Sequence, residues 1–188
     1  MIGSPPKMDI AELSRLVELY DLERYLFGMV STKFAQAQTL TPYDFFAIVA
    51  WKSNRSKTKV KDGLAAARKS ASELMRDVSQ AETLEAKVDT LLHIRGIGLP
   101  IASAILAVCY PREFTLLDIR AWTTLKEMSV ESLPQRYPQN SKEYLRYCQA
   151  CSMLANQAGL SLRELDRALW AKNWEDNLHA LIIRRAKH

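Results

Sequence analysis

The chain lacks a long apolar run, and it is sparing with glycine, proline, cysteine and histidine. Each shortage excludes a class of protein. Nothing approaches the ~20 consecutive apolar residues that cross a bilayer. The opening Met1-Ile2-Gly3-Ser4-Pro5-Pro6-Lys7 has no secretory hydrophobic stretch, so a soluble cytoplasmic protein with no membrane partner is the expectation. Six Gly and seven Pro in 188 residues, with 48% hydrophobic residues, exclude collagen-like repeats and low-complexity chains. Cys109, Cys148 and Cys151 are too few for a disulfide framework. His93, His179 and His188 stand far apart without metal-ligand spacing, so no metal and no cofactor is expected. No nucleophilic triad or Walker-type phosphate loop is present, and His93 reads as helix surface.

Charge is modest but unevenly spread. The 26 Lys and Arg exceed the 21 Asp and Glu by five. Seven of the cations and one acid fall within residues 52–69, so that stretch carries +6 and the remainder −1. A basic patch on a near-neutral body suits a polyanionic partner, and equally a solvated lysine-rich loop.

The pattern is helical almost throughout, which predicts an all-α fold. Asp9-x-x-Glu12 reads as a capping box ahead of Ile10, Leu13, Leu16 and Val17. Asp21 can cap a second helix. Thr41-Pro42 is a sharp start for a helix through Phe45, Ile48, Val49 and Trp51 that is apolar on most sides. Leu64, Ala67, Ala71, Leu74, Met75 and Val78 recur at helical spacing. Ser79-x-x-Glu82 is expected to cap the next helix, which Arg95-Gly96-Ile97-Gly98 breaks before Pro100 opens another. Asp118 can cap a helix of Ile119, Trp122 and Leu125. A loop over 129–140 precedes Asn140-x-x-Glu143, whose helix closes at Gly159, and Ser161-x-x-Glu164 caps the last clear helix. The basic end from Arg184 is expected to fray. Phe114 to Leu117 is the only short strand candidate, and no linker separates two domains.

The most specific pattern is Ile94-x-Gly96-Ile97-Gly98-x-x-x-Ala102-x-x-x-Leu106. It describes two helices joined by a very tight turn. Gly96 and Gly98 allow positive φ, and the turn aims backbone N–H groups and a helix N-terminus outward, a ready anion site. Small Ala102, Ser103 and Ala104 let the two helices pack closely. An ordinary αα-hairpin would use the same residues for packing alone.

This segment resembles the helix-hairpin-helix motif, over about residues 84–109, which in that family grips a DNA phosphate through the hairpin amides. The likeness extends downstream. In the helix-hairpin-helix DNA glycosylase superfamily (the endonuclease III and 3-methyladenine glycosylase group) a short loop follows the hairpin. An apolar pair and an Asp at the cap of a new helix come next. Here that reads Tyr110-Pro111-Arg112-Glu113-Phe114-Thr115-Leu116-Leu117-Asp118-Ile119-Arg120-Ala121-Trp122. The turn and Asp118 together span about Leu91 to Leu125, under a fifth of the chain. It implies one two-lobed helical domain over 1–188, the first and last helices forming the second lobe. It also implies Asp118 as catalytic carboxylate and double-stranded DNA, damaged or intact, as partner. Cleaving an N-glycosidic bond develops positive charge on the deoxyribose, which a fixed carboxylate stabilises while it positions water. The base must first leave the helical stack. Asp118 also reads as a plain N-cap.

By the same resemblance, Gly96, Ile97 and Gly98 would hold a phosphate. Lys52, Arg55, Lys57, Lys59 and Arg120 would contact the nucleic acid, and Trp51 would stack a base or serve as a core aromatic. Several positions depart from the family. Pro100 occupies the place of the Schiff-base lysine of bifunctional members, which excludes lyase chemistry through that residue. Cys148-x-x-Cys151 offers two of the four cysteines an iron–sulfur cluster needs, and reads as core packing. Arg120 stands where many relatives have His. The usual Gln-containing signature near Trp51 is missing. The run Leu162 to Trp170 is similar to a stretch in small bacterial relatives, and its alternating charges and leucines read as structural. The leading function is a monofunctional DNA glycosylase. The alternatives are a non-catalytic helix-hairpin-helix DNA-binding module and a helical protein–protein adaptor.

Overall fold

The computed structural model describes residues 10–185, which are all-α, with no β-strand among the described residues. Helix α1 spans Ile10–Tyr20; its expected cap, Asp9, lies outside the described residues. Asp21 caps α2 (Leu22–Arg24), accepting from the Arg24 N–H at 3.1 Å. A π-type stretch, Tyr25–Val30, joins it to α3 (Ser31–Ala37), and α3 stops at Gln38 in the left-handed region.

Thr41 and Pro42 start α4 (Pro42–Ser53) as their chemistry requires. The Thr41 hydroxyl accepts from the Asp44 N–H, and proline takes a position whose amide needs no partner. Phe45, Ile48 and Val49 of α4 are buried against α8 (Leu99–Cys109). In α8 every residue except Pro100 is buried, because Ala102, Ser103, Ala104 and Ala107 let neighbouring helices approach from several sides.

The basic stretch is helical rather than a loop. A single 3-10 turn, Asn54–Ser56, leads into α5 (Lys57–Ala66). The helical spacing from Leu64 to Val78 runs across a break: Arg68 adopts φ 53°, and a Ser70–Glu73 capping box restarts the chain as α6 (Ala71–Gln80). Ser79 does not cap the next helix. It remains inside α6, where its hydroxyl donates to the Arg76 carbonyl, and Thr83 caps α7 (Leu84–Leu92) instead. Lys87 reaches back from α7 to donate to the carbonyls of Val78, Ser79 and Ala81, so the end of α6 is satisfied without a turn at Ser79.

The remaining caps fall where expected. Asp118 opens α9 (Ile119–Glu127), Asn140 opens α10 (Ser141–Ala158), and Gly159 closes α10 at φ 67°. Ser161 and Glu164 exchange hydrogen bonds at the start of α11 (Leu162–Arg185). At 1.5 Å per residue the 24-residue α11 is roughly 36 Å long. Leu162, Leu165 and Leu169 are buried where α11 packs on α9 and α10, whereas Trp174, Leu178 and Leu181 farther along are exposed. The helix continues through Arg185, and the rest of the basic end lies outside the described residues.

The turn between α7 and α8 is fitted against α5. Gly96 has φ 95°, and a Cβ there would sit 2.7 Å from the Lys59 carbonyl and 2.9 Å from the Val60 nitrogen. Across the same contact, a Cβ on Gly63 would fall 1.8 Å from the Arg95 carbonyl oxygen. Gly98 differs from the expectation: its φ is −94° and a Cβ would meet only the Pro100 ring at 3.9 Å. Gly63→Ala and Gly96→Ala are therefore expected to cost about 2–3 kcal/mol each by forcing two backbones apart. Gly98→Ala should cost about 1 kcal/mol or less, as a cap substitution. Urea titration of the three variants checks the ranking.

Candidate active site

Asp118 ends an extended, buried segment, residues 114–117, that has no neighbouring strand to pair with. The Phe114 N–H donates to the Tyr110 carbonyl, and side chains take up three further backbone groups. The Ser103 hydroxyl accepts from the Leu117 N–H at 2.9 Å while donating to the Pro100 carbonyl. Tyr144 donates to the Thr115 carbonyl at 2.7 Å, and Tyr147 donates to the Leu116 carbonyl at 3.1 Å. Phe114 stacks on Tyr144 at 6.1 Å between ring centroids. The strand candidate is thus a strap held by α8 and α10. It delivers Asp118 to the surface at a fixed height.

Asp118 lines a pocket of about 470 Å³ together with Trp51, Lys52, Asp166 and Trp170. That volume lies within the ~300–1,000 Å³ typical of small-ligand sites. Its carboxylate has two partners. Oδ1 accepts from the Arg120 N–H at 2.9 Å, the N-cap bond, and Oδ2 lies 3.2 Å from Lys52 Nζ. The Lys52 side chain is 13% exposed and the Asp118 side chain 30%, so this ion pair sits at the wall of the pocket, not on open surface. Burial and the negative charge of Asp118 push the nearby Tyr137 phenol up to about 12.

The opposite wall comes from the two ends of the chain. Arg163 of α11 pairs with Glu23 of α2 at 2.6 Å and with Asp166 one turn along its own helix. Arg167 donates to Glu23 at 2.6 Å. The Arg163 guanidinium also lies over the rings of Phe27 and Trp51, at 4.7 and 5.4 Å from their centroids. Burial opposes ionisation of Glu23, but hydrogen bonds from Arg163 and Arg167 outweigh it and hold the carboxyl below its ordinary range. At Asp166 burial prevails over the attraction of Arg163 and Lys52, and the carboxyl is pushed up to about 6. Three acids and three bases therefore surround one polar cavity with two indole rings.

The expected site residues divide into two groups. Asp118 and Lys52 meet in the pocket. Arg120 is exposed beside it, its guanidinium 5.0 Å from the centre of the Trp170 ring. Arg55, Lys57 and Lys59 are exposed on the 3-10 turn and α5, the helix fitted against the hairpin turn at Gly96. Ile97 contributes only backbone to that surface, since its side chain is buried. Trp51 is half-buried, edge-on to Phe27 at 5.6 Å, and serves both as core aromatic and as pocket wall. Cys148 and Cys151 are free and buried among the α10 tyrosines. Glu23, Arg163, Asp166, Arg167 and Trp170 line the pocket although no motif marks them for that role. The run from Leu162 to Trp170 does carry the expected i, i+3 pair and buried leucines, and its other face is the pocket wall.

Compared with known proteins, the chain matches no family model, no curated protein and no solved structure.

Two outcomes follow from this geometry. Ser103→Ala leaves the buried Leu117 N–H without an acceptor and is expected to cost about 1–3 kcal/mol in a denaturant titration. For Asp166 the folded pKa, near 6, exceeds the ordinary 3.8, so the folded state binds more protons between those values. Its contribution to stability is fully present below about 3.8 and is lost as pH rises through 6, a difference of about 3 kcal/mol. Carboxyl NMR should show Asp166 titrating near 6. In Arg163→Gln, which removes the attraction that opposes the rise, it should titrate still higher.

Proposed function

We propose that the protein is a helix-hairpin-helix DNA glycosylase that hydrolyses an N-glycosidic bond, with two helical lobes meeting at the Asp118 pocket. The observation that carries this reading is the meeting of Asp118, selected from sequence position alone, with Lys52 and two tryptophans in a single cavity. Trp51 and Trp170 line the pocket, and a base taken out of the stack would meet each on the face away from its arginine, Arg163 or Arg120. Asp118 stands ready to stabilise positive charge on the deoxyribose and to position water, with the Lys52 ammonium 3.2 Å from its Oδ2. Outside the pocket, the turn before α8 packs at Gly96 against Lys59 and Val60 of α5, whose lysines are exposed. Pro100 has no amide and the Ile101 N–H already donates to the Gly98 carbonyl, so Leu99 is the first-turn position of α8 whose amide would receive a phosphate, with Arg55, Lys57 and Lys59 adding sequence-independent attraction.

A specific observation favours a second reading. Both Asp118 oxygens are already engaged, one by the Arg120 amide and one by Lys52. A non-catalytic DNA-binding module would need nothing more of that residue than this.

The test compares affinity for a duplex holding a cationic pyrrolidine abasic-site mimic with affinity for an undamaged duplex. The mimic imitates the charged sugar and needs no prior choice of base. Wild type is expected to prefer the mimic at least tenfold, and Asp118→Asn to lose that preference while binding the undamaged duplex as before. With three or four phosphates neutralised, log K should fall against log salt with a slope of roughly −3 to −4. Equal, salt-sensitive binding of both duplexes by wild type would leave the non-catalytic module. No DNA binding would leave the protein–protein adaptor.

A further inference from the structure

Leu162, Leu165 and Leu169 seat the first half of α11, but every side chain from Asn177 to Ile183 is exposed. That stretch has no Asp, Glu, Lys or Arg, and four of its seven residues are Leu or Ile. A helix surrounded only by water is expected to be polar on all sides, and two adjacent β-branched isoleucines are weak helix formers. The apolar residues are also ordered. Trp174, Leu178 and Leu181 follow the four-then-three spacing of a coiled-coil seam, with Ile182 beside them. Each of these four is 40–58% exposed. At 3.6 residues per turn, Leu178 lies on the opposite side of the helix from buried Leu169, so the seam faces away from α9 and α10.

We infer that this seam joins two copies of the chain, their last helices packed antiparallel about a two-fold axis between His179 and Ala180. The spacing sets that register, because Leu178 of each copy then meets Leu181 of the other in the central apolar layer. The charge pattern is self-complementary in the same register. Glu175 and Asp176 precede the apolar stretch, and the sequence turns basic after it, from Arg184. Position 175 of one copy comes level with position 184 of the other, so acid meets base at both ends. A parallel pair would set Glu175 beside Glu175. A nucleic acid would find no cation between Asn177 and Ile183. Helices that lie on anionic membranes carry Lys and Arg along the polar face, where α11 has Glu175 and Asp176, the latter already paired with Lys172 at 2.5 Å. The four seam residues leave on the order of 400 Å² of apolar surface bare, or about 800 Å² over two copies. Flanking turns bring the pair to roughly 1,200 Å², the lower end of specific interfaces, which fits a dimer of micromolar affinity. The contact is independent of what the pocket binds.

Sedimentation of the 188-residue chain from about 1 to about 500 μM tests this. The mass is expected to rise from one chain to two, with half-association at roughly 10 μM. Leu178→Glu and Leu181→Glu alter exposed positions, so each should unfold in urea as the single wild-type chain does, yet associate at least about tenfold more weakly. Met153→Glu, at an exposed position of α10, should associate as wild type does. Orientation is read by mixing the Leu178→Cys and Leu181→Cys proteins under mild oxidation, since Cys109, Cys148 and Cys151 are buried. Disulfides between unlike chains should form at least about tenfold faster than those between like chains. Fast like-chain disulfides in both variants would show a parallel pair and overturn the proposal. A single chain at every concentration would also overturn it, leaving the seam to a different protein or, if phosphatidylglycerol vesicles capture that chain, to a lipid surface. Undiminished dimer in both glutamate variants, or assemblies growing past two copies, would place the contact on another face and overturn it as well.

Discussion

The site depends on a buried stretch of backbone that has no strand to pair with. Residues 114–117 cross the interior in extended form, and an unpaired amide or carbonyl there would carry a full desolvation cost. Ser103, Tyr144 and Tyr147 remove that cost from two directions, one from α8 and two from α10. Because each bond is directional, the strap has one register. That register decides where Asp118 leaves the core, and Asp118 in turn begins α9. The same three side chains therefore take up three of the strap's backbone groups and set where the carboxylate meets the pocket.

A second constraint joins the hairpin turn to the basic helix. Gly63 and Gly96 let two backbones come closer than any Cβ would permit, so α5 and the turn before α8 behave as one unit. The cations of α5 consequently keep a fixed relation to the first amides of α8. Of the two hairpin glycines, Gly96 is held by sterics and conformation together, and Gly98 by neither.

What was legible in the sequence is what short-range chemistry decides. Thr41-Pro42, Asp118, Asn140 and Ser161 announce helix starts through contacts two or three residues long, and each starts a helix. The glycine turn and the placement of Asp118 after it were legible for the same reason. Ser79 misled because its pattern is equally local, while the deciding contact comes from Lys87 on the following helix. Phe114 to Leu117 looked like a strand because it is apolar and extended, and only α8 and α10 reveal that side chains replace the missing partner. The far wall of the pocket left no trace at all. Arg163 meets Glu23 across 140 positions of sequence, and its neighbours Leu162 and Leu165 make the segment read as ordinary helix packing.

That long span has a consequence for the order in which the molecule is made. The hairpin, the strap and Asp118 are complete once α10 has been synthesised. The pocket is not, because Arg163, Asp166, Arg167 and Trp170 all belong to the last helix. Glu23 must wait 140 positions for the first of its two arginines. The α5 and hairpin surface is thus in place well before the pocket is, and the pocket is complete only when α2 and α11 find one another.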